Sequence, residues 1–162
     1  MAIQVGDKLP ETTFTVMGAE GPEPKSTNDL FGGKKVVLFA VPGAYTPTCS
    51  KGHMPGFVQN VDGLKGKGVD AVACTSVNDV FVMDAWAKDS GATGNIDMLA
   101  DGSADFAKAV GLEIDLTARG LGVRSQRYSM LVEDGVVTKL NVEEAPPNHD
   151  VSSAVTMLSQ LG

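Results

Sequence analysis

The chain has 162 residues, of which 43% are hydrophobic and 20% are charged, and its formal net charge is -7 at pH 7. This length fits one domain covering residues 1–162 with a sizeable core, and the composition excludes an extended disordered chain. The acidic balance, without a cluster of lysine and arginine, disfavours nucleic acid and anionic membrane as partners.

No targeting or membrane segment stands out. The first residues, MAIQVGDKLPE, lack the basic start and apolar core of a signal peptide. The uncharged run from Val36 to Ser50 is too short to span a bilayer and contains prolines. We therefore expect a cytoplasmic protein, although a processed organellar form that has lost its transit peptide would show the same sequence.

Apolar runs alternate with helical patterns, which predicts an α/β domain. KKVVLFAV is rich in β-branched residues and reads as a buried strand. After PGAYTPT a helix is predicted to begin near residues 48–49 and to kink at Pro55. VDAVACTSV reads as a second buried strand, and Asn78 or Ser76 can cap the helix that runs on to about Lys88.

The later elements are shorter. IDMLAD is predicted as a third strand, and SADFAKAVG as a helix stopped by Gly111. RYSMLVEDGVVTKLNV contains two strand-like runs around Asp134-Gly135, a strong signal for an antiparallel hairpin. Asp150 is predicted to cap a final helix with an apolar face of Val151, Ala154, Val155 and Leu158. By analogy, this order favours a thioredoxin-like fold, with a central mixed β-sheet flanked by helices.

Cys49 lies in a context that favours reactivity. Two cysteines in such a chain do not make a disulfide framework, so each is considered singly. Cys49 stands at a predicted helix start, where free N–H groups and the positive end of the helix dipole stabilise a thiolate. Thr46 occupies the place of the first cysteine in a Cys-x-x-Cys motif. The site therefore cannot close a local disulfide, which argues against a dithiol exchange enzyme.

The segment VPGAYTPTCS resembles the active-site segment of peroxiredoxins, whose pattern Pro-x-x-x-Thr/Ser-x-x-Cys is filled by Pro42, Thr46 and Cys49. The stretches CSKGHMPGF, SVNDVFVMDAW and LADGSADFAKAVGL are similar to the type II, or peroxiredoxin-five-type, subfamily in particular. The resemblance covers almost the whole chain. It implies a single thioredoxin-like peroxiredoxin domain, reduction of peroxides and a homodimer.

The resemblance also implies roles for individual side chains. The family places an arginine beside the sulfur, at the residue before an aromatic at a strand start, which here is Arg127; Arg124, three residues earlier, stays an open alternative. Cys49 would be the nucleophile and become a sulfenic acid. Thr46 would orient the peroxide and the thiolate, Pro42 would shield the sulfur from water, and the arginine would polarise the substrate.

Cys74 is a possible resolving cysteine. It lies near the end of VDAVACT, toward the same carboxyl edge of the predicted sheet as Cys49, and a buried structural thiol is an equally open interpretation. Some type II members match a cysteine here and others use a later one, which the stretch EEAPPNHDVSSAV lacks. His53, one turn after Cys49, is set aside as a protease base because both side chains point the same way, and with His149 it makes a poor metal set.

The sequence therefore predicts a thiol-dependent peroxidase of hydrogen peroxide and organic hydroperoxides, with no metal or organic cofactor. Its reductant would be glutaredoxin with glutathione, or thioredoxin. Two alternatives remain: a peroxide-responsive redox sensor, and a non-catalytic thioredoxin-fold binding module. A mere scaffold would not need Pro42, Thr46, Cys49 and Arg127 together, which disfavours the module.

Overall fold

The structure is a computed structural model that describes residues 1–145 and 148–161. The strands in this part of the chain are β1 (Thr13–Gly18), β2 (Gly21–Ser26), β3 (Lys35–Ala40), β4 (Ala71–Ser76), β5 (Asp97–Ala100), β6 (Glu113–Asp115), β7 (Val123–Ser125), β8 (Tyr128–Glu133) and β9 (Val136–Val142). The helices are α1 (Thr27–Phe31), α2 (Met54–Gly66), α3 (Val80–Ser90), α4 (Asp105–Ala109) and α5 (Ala154–Gln160), with a π-helical turn at Cys49–His53 and a 3₁₀ turn at Thr117–Arg119. Among the described residues, none of these helices has the length and apolar character that crossing a bilayer requires.

Seven strands form one mixed sheet in the order β2-β1-β5-β4-β3-β8-β9, and β6 pairs with β7 in a separate small ribbon. The central strands β3, β4 and β5 run parallel, whereas β1 and β8 run antiparallel to the strands they join. The predicted thioredoxin-like α/β fold, with a central mixed sheet flanked by helices, is confirmed. The carboxyl ends of all three central strands therefore lie at one edge of the sheet.

The apolar run of β3 is buried on both faces of the sheet. Phe39 faces the cluster that contains Cys49 and Cys74. Leu38 faces the opposite cluster, together with Tyr128 of β8. Both faces are covered, and this explains why the strand reads as a continuous hydrophobic run rather than an alternating pattern.

The hairpin predicted at Asp134-Gly135 is confirmed. β8 and β9 pair antiparallel on either side of it. Asp134 has φ 49° and Gly135 has φ 79°, the two successive left-handed residues that a tight type I′ turn requires.

The cap predicted for α3 is off by one residue. Asp79, not Asn78 or Ser76, caps the helix, and its Oδ1 accepts a hydrogen bond from the Val82 N–H at 2.9 Å. Asn78 is engaged elsewhere, since its Oδ1 accepts from the Ala44 N–H at 3.0 Å and from the Ser76 hydroxyl at 2.6 Å. Asn78 thus ties the loop after β3 to the loop after β4.

The cap predicted for the final helix is also wrong. α5 is capped by Ser153, whose hydroxyl accepts from the Thr156 N–H at 3.2 Å. The Asp150 carbonyl accepts from the Ser153 N–H and the Thr156 hydroxyl, at 3.2 and 2.9 Å. Asp150 therefore precedes the helix in a turn. The predicted apolar face is also wrong in part, since Val151 and Val155 are exposed and the buried residues of α5 are Ala154 and Met157.

Candidate active site

The loop that leaves β3 at the carboxyl edge of the sheet carries the predicted motif. Its Thr46 hydroxyl lies 2.7 Å from the Gly43 carbonyl and 2.8 Å from Cys49 Sγ. A hydroxyl has one proton, and the carbonyl can only accept. When the sulfur is a thiol, its proton can go to the Thr46 oxygen while Thr46 donates to Gly43. When the sulfur is a thiolate, Thr46 can turn its proton to the sulfur.

Cys49 begins the π-helical turn and is fully buried. Helical structure starts at residues 47–48, one residue before the predicted start near 48–49, and the Met54 N–H donates to the Cys49 carbonyl five residues back. The turn ends at His53, two residues before Pro55, where the sequence predicts a kink. A proline ring clashes with the carbonyl four residues earlier in a regular α-helix, so a wider turn at this point fits the sequence.

Arg127 reaches the sulfur, and Arg124 does not. The Arg127 Nη2 donates to Cys49 Sγ at 2.9 Å, and the Arg127 side chain is buried. Register explains this placement: Ala40, the last residue of β3, pairs with Tyr128, so Arg127 lies where β3 enters the active-site loop. Arg124 instead donates to the Leu121 carbonyl at 2.8 Å and to the Pro42 carbonyl at 3.3 Å.

The predicted set is therefore gathered around one sulfur. Thr46 and Arg127 both contact Cys49 directly, while the buried Pro42 lies on the same loop and is held through its carbonyl by Arg124. A hydroxyl and a guanidinium that donate to one sulfur in a water-poor site stabilise negative charge on it. A small electrophile that reaches this sulfur meets a nucleophile, a cation and a hydroxyl together.

His53 was set aside in the sequence, and the structure places it against the arginine. Its Nδ1 lies 3.0 Å from Arg127 Nη1, and its Nε2 lies 2.9 Å from the Ser152 carbonyl oxygen. The imidazole is buried against Phe39 and Phe57, with centroid separations of 5.0 and 5.4 Å. The sequence signal was limited to spacing: His53 follows Cys49 by four residues, so the two side chains share a side of the helix.

Burial, together with the positive charge of Arg127, lowers the pKa of His53 to about 3 despite the opposing hydrogen bond to Ser152. The imidazole is therefore neutral in the folded protein at physiological pH. An unfolded chain would protonate it near pH 6.5.

This difference predicts an acid-sensitive fold. The contribution of neutral His53 to stability is fully present above about pH 6.5 and declines as pH falls toward the folded value, by about 1.4 kcal/mol per pH unit. Urea unfolding between pH 7 and pH 4 should show the free energy of unfolding falling more steeply in the wild type than in His53→Gln. Parallel pH profiles for the two proteins would contradict the assignment of this proton to His53.

Cys74 lies on β4, opposite Phe39 of β3, and shares the buried cluster of Cys49. Burial raises the pKa of the Cys74 thiol well above its usual range, and the negative charge of Cys49 adds to this. Both cysteines are free. In this state Cys74 is a protonated thiol, unable to act as a nucleophile at neutral pH.

Within residues 1–145 and 148–161, no three histidine, cysteine or acidic side chains gather in a way that could hold a metal ion. His53 and His149 come near each other, with ring centroids 6.4 Å apart. Two residues of the stretch EEAPPNHDVSSAV, at positions 146 and 147, lie outside the part of the chain that the structure describes.

A family model described as Redoxin matches residues 4–158 of the chain. The chain is 46% identical over 160 residues to Peroxiredoxin-2B of Arabidopsis thaliana, covering 98% of each protein. It is 48% identical over 164 residues to the chloroplastic Peroxiredoxin-2E of the same plant, covering 99% of this chain and 70% of that relative. Among solved structures, reduced Prx3 in complex with h2o2 from Vibrio vulnificus matches with a TM-score of 0.94 and 52% identity, over 99% of both chains.

Proposed function

This chain belongs to the peroxiredoxin family of thioredoxin-fold thiol peroxidases, and on that premise we propose that Cys49 is the residue that attacks the hydroperoxide. The resemblance to the type II subfamily is confirmed by relatives that carry peroxiredoxin-2 names. The observation that carries the proposal is the buried Cys49 sulfur, which accepts hydrogen bonds from Thr46 at 2.8 Å and from Arg127 at 2.9 Å. We propose that residues 1–162 act as one domain.

The reaction is a nucleophilic displacement on oxygen. The Cys49 thiolate attacks one peroxide oxygen, a sulfur–oxygen bond forms, and the oxygen–oxygen bond breaks. The sulfur is oxidised to a sulfenic acid, and the peroxide is reduced to an alkoxide or hydroxide that takes up a proton. A thiol then displaces water from the sulfenic acid to give a mixed disulfide, and a second thiol restores Cys49 while the two external sulfurs leave as a disulfide.

Each neighbour of the sulfur has a proposed part. Arg127 stabilises the thiolate and the negative charge that develops on the departing oxygen, because its guanidinium presents several donors in a fixed plane. Thr46 directs its hydroxyl at the sulfur and at the bound peroxide. Pro42 limits the access of water to the sulfur, and its own position is fixed by Arg124.

The test is a peroxide consumption assay combined with chemical trapping. The wild type should consume hydrogen peroxide and an organic hydroperoxide when a thiol reductant is supplied. One equivalent of peroxide followed by dimedone should give an adduct at Cys49, which peptide mass spectrometry can assign. An adduct at Cys74 with none at Cys49 would show that Cys74, and not Cys49, is the nucleophile.

Thiol reductants are the proposed partners. We propose that glutaredoxin with glutathione, or thioredoxin, reduces the oxidised Cys49, and that an external thiol can do so without Cys74. Cys49 lies on a helical turn and Cys74 on a central strand, so a disulfide between them would require the first turn to unwind.

Cys74→Ser is therefore expected to keep most of its turnover when glutathione and glutaredoxin are supplied. The matched measurement is the mass of the oxidised wild type without reductant. Loss of all turnover in Cys74→Ser, together with an intramolecular Cys49–Cys74 disulfide in the wild type, would make Cys74 an obligatory resolving cysteine.

We also propose a homodimer. Tyr45 is 49% exposed on the active-site loop and Phe81 is 64% exposed on α3. The Tyr45 hydroxyl donates to Asp89 of α3 at 2.6 Å, so the active-site loop and α3 are neighbours at this surface. Exposed aromatic patches are typical of protein interfaces, and the family resemblance points the same way. Sedimentation velocity over a range of concentrations and in both redox states measures the association.

The relatives include one protein named as chloroplastic and one named as mitochondrial, so relatives of this chain occur in more than one compartment. A cytoplasmic location for this chain stays a prediction.

A further inference from the structure

We propose that His53 is a positioning residue that holds the Arg127 guanidinium against the Cys49 sulfur. The proposal rests on the proposed function, because it gives His53 a part only through Arg127. One guanidinium nitrogen, Nη1, lies 3.0 Å from His53 Nδ1, and the other, Nη2, lies 2.9 Å from Cys49 Sγ. The imidazole and the sulfur thus fix the plane of the guanidinium from two directions.

The two partners of His53 permit a single protonation state. A guanidinium can only donate, so Nδ1 must present a lone pair to Arg127. A carbonyl oxygen can only accept, so Nε2 must carry the proton that goes to Ser152. An imidazolium would direct an N–H at the arginine and break the contact. Neutral imidazole orients Arg127 without bringing a negative charge to it, so it does not offset the positive charge that the sulfur needs.

The Ser152 carbonyl is itself held in place. The Ser152 N–H and hydroxyl both donate to Glu143 Oε2, at 2.8 and 2.6 Å. The Glu143 N–H donates to the Arg127 carbonyl at 3.0 Å. The hydrogen bonds therefore form a closed ring that runs from the Arg127 backbone through Glu143, Ser152 and His53 to the Arg127 side chain.

Every member of this ring is buried. The hydrogen-bonded ring joins the residue before β8, the residue after β9, the segment before α5 and the π-helical turn, which are four separate parts of the chain. Buried and fully paired networks restrict their members to one geometry, and a displacement of about 1 Å in a catalytic group can cost on the order of 100-fold in rate. The hydrogen-bonded ring therefore fixes the position of the Arg127 guanidinium relative to the Cys49 sulfur.

The π-helical turn gives His53 the correct direction. Cys49 and His53 are four residues apart in a turn whose closing hydrogen bond spans five, so both side chains lie on the side that faces Arg127. Phe39 and Phe57 stack on each other at 4.0 Å, and both rings pack against the imidazole. These two aromatic contacts restrict rotation of the His53 imidazole.

Three substitutions separate the two hydrogen bonds of His53. His53→Asn places an amide oxygen near the position of Nδ1 and keeps an acceptor for Arg127. His53→Gln places its amide near the position of Nε2, so that it can keep the donor to Ser152 while the acceptor for Arg127 is lost. His53→Leu removes both. We expect the second-order rate constant for oxidation of Cys49 by hydrogen peroxide to fall about 10- to 100-fold in the Leu and Gln variants and markedly less in the Asn variant.

The rate is measured by stopped-flow fluorescence. Trp86 is the only tryptophan of the chain, and its indole N–H donates to the Ser50 hydroxyl at 3.1 Å, next to Cys49. Equal losses in the Asn and Gln variants would overturn the proposal, as would a wild-type rate in the Leu variant. If the Leu variant does not fold, the comparison of Asn with Gln still decides.

A double-substitution cycle separates positioning from general damage. In the Arg127→Met background, His53→Leu should slow the reaction no further, because its effect passes through Arg127. An unchanged fold-loss in that background would show that His53 acts elsewhere or only supports the fold. If Arg127→Met alone leaves the rate unchanged, the proposed function fails at Arg127, and this outcome is distinct from a failure at His53.

Discussion

Cys49→Ser is expected to remove hydroperoxide reduction almost completely while the fold stays intact. A serine hydroxyl is not ionised at neutral pH and cannot form a sulfenic acid, so both the nucleophile and the intermediate are lost. The loss should be on the order of 10⁴-fold or more, as when other covalent nucleophiles are removed. Peroxide consumption with a saturating thiol reductant measures it.

The variant should fold normally because serine fits the volume of cysteine and offers Thr46 and Arg127 an oxygen in place of the sulfur. Thermal unfolding of Cys49→Ser beside the wild type checks this point. Cys74→Ser is the matched control, since it makes the same change at the other buried cysteine. Full activity in Cys49→Ser with none in Cys74→Ser would reverse the assignment.

Much of the site could be predicted because its parts are adjacent in the sequence. Pro42, Thr46 and Cys49 lie in one short segment between a strand and a helix, and a helix start is a place where a cysteine is expected to be reactive. Arg127 lies 78 residues from Cys49, and the resemblance alone selected it over Arg124. The antiparallel register of β3 with β8, which pairs Ala40 with Tyr128, gives the physical reason for that choice.

The role of His53 could not be predicted, because it depends on contacts among residues far apart in sequence. His53 lies 74 residues from Arg127 and 99 residues from Ser152. The spacing of Cys49 and His53 shows only that they share a side of the helix. What lies on that side is decided by the packing of β8 and of the segment before α5.

The N-terminal hairpin was missed for a different reason. β2, with the sequence GPEPKS, contains Pro22 and Pro24, which usually argue against a strand. β2 is the edge of the sheet and pairs only with β1. The two prolines are two residues apart, so their nitrogens face the same side, and on an edge strand that side can be the solvent side, where no N–H is needed. They also protect the edge from pairing with another chain.

Arg127→Met is expected to slow the reaction of Cys49 with hydrogen peroxide by about 10- to 1000-fold, the range for removing one positioned donor at a developing negative charge. Methionine keeps the length and apolar stem of the side chain and removes its charge and its donors. The sulfur would then keep Thr46 but lose the guanidinium that lies 2.9 Å from it. Thr46→Val in the wild-type background should act in the same direction, because it removes the hydroxyl that lies 2.8 Å from the sulfur.

Arg124→Met is the matched control for Arg127→Met, because it removes an arginine from the same region that contacts the active-site loop through Pro42 rather than through the sulfur. We expect a smaller loss, caused by a looser loop. Arg127→Lys separates charge from geometry: lysine keeps the positive charge but cannot donate to His53 and Cys49 from one rigid plane. Its rate should therefore fall between the rates of the wild type and Arg127→Met. A wild-type rate in Arg127→Met together with a large loss in Arg124→Met would show that the catalytic arginine is Arg124, and that the reactive conformation brings it to the sulfur in place of Arg127.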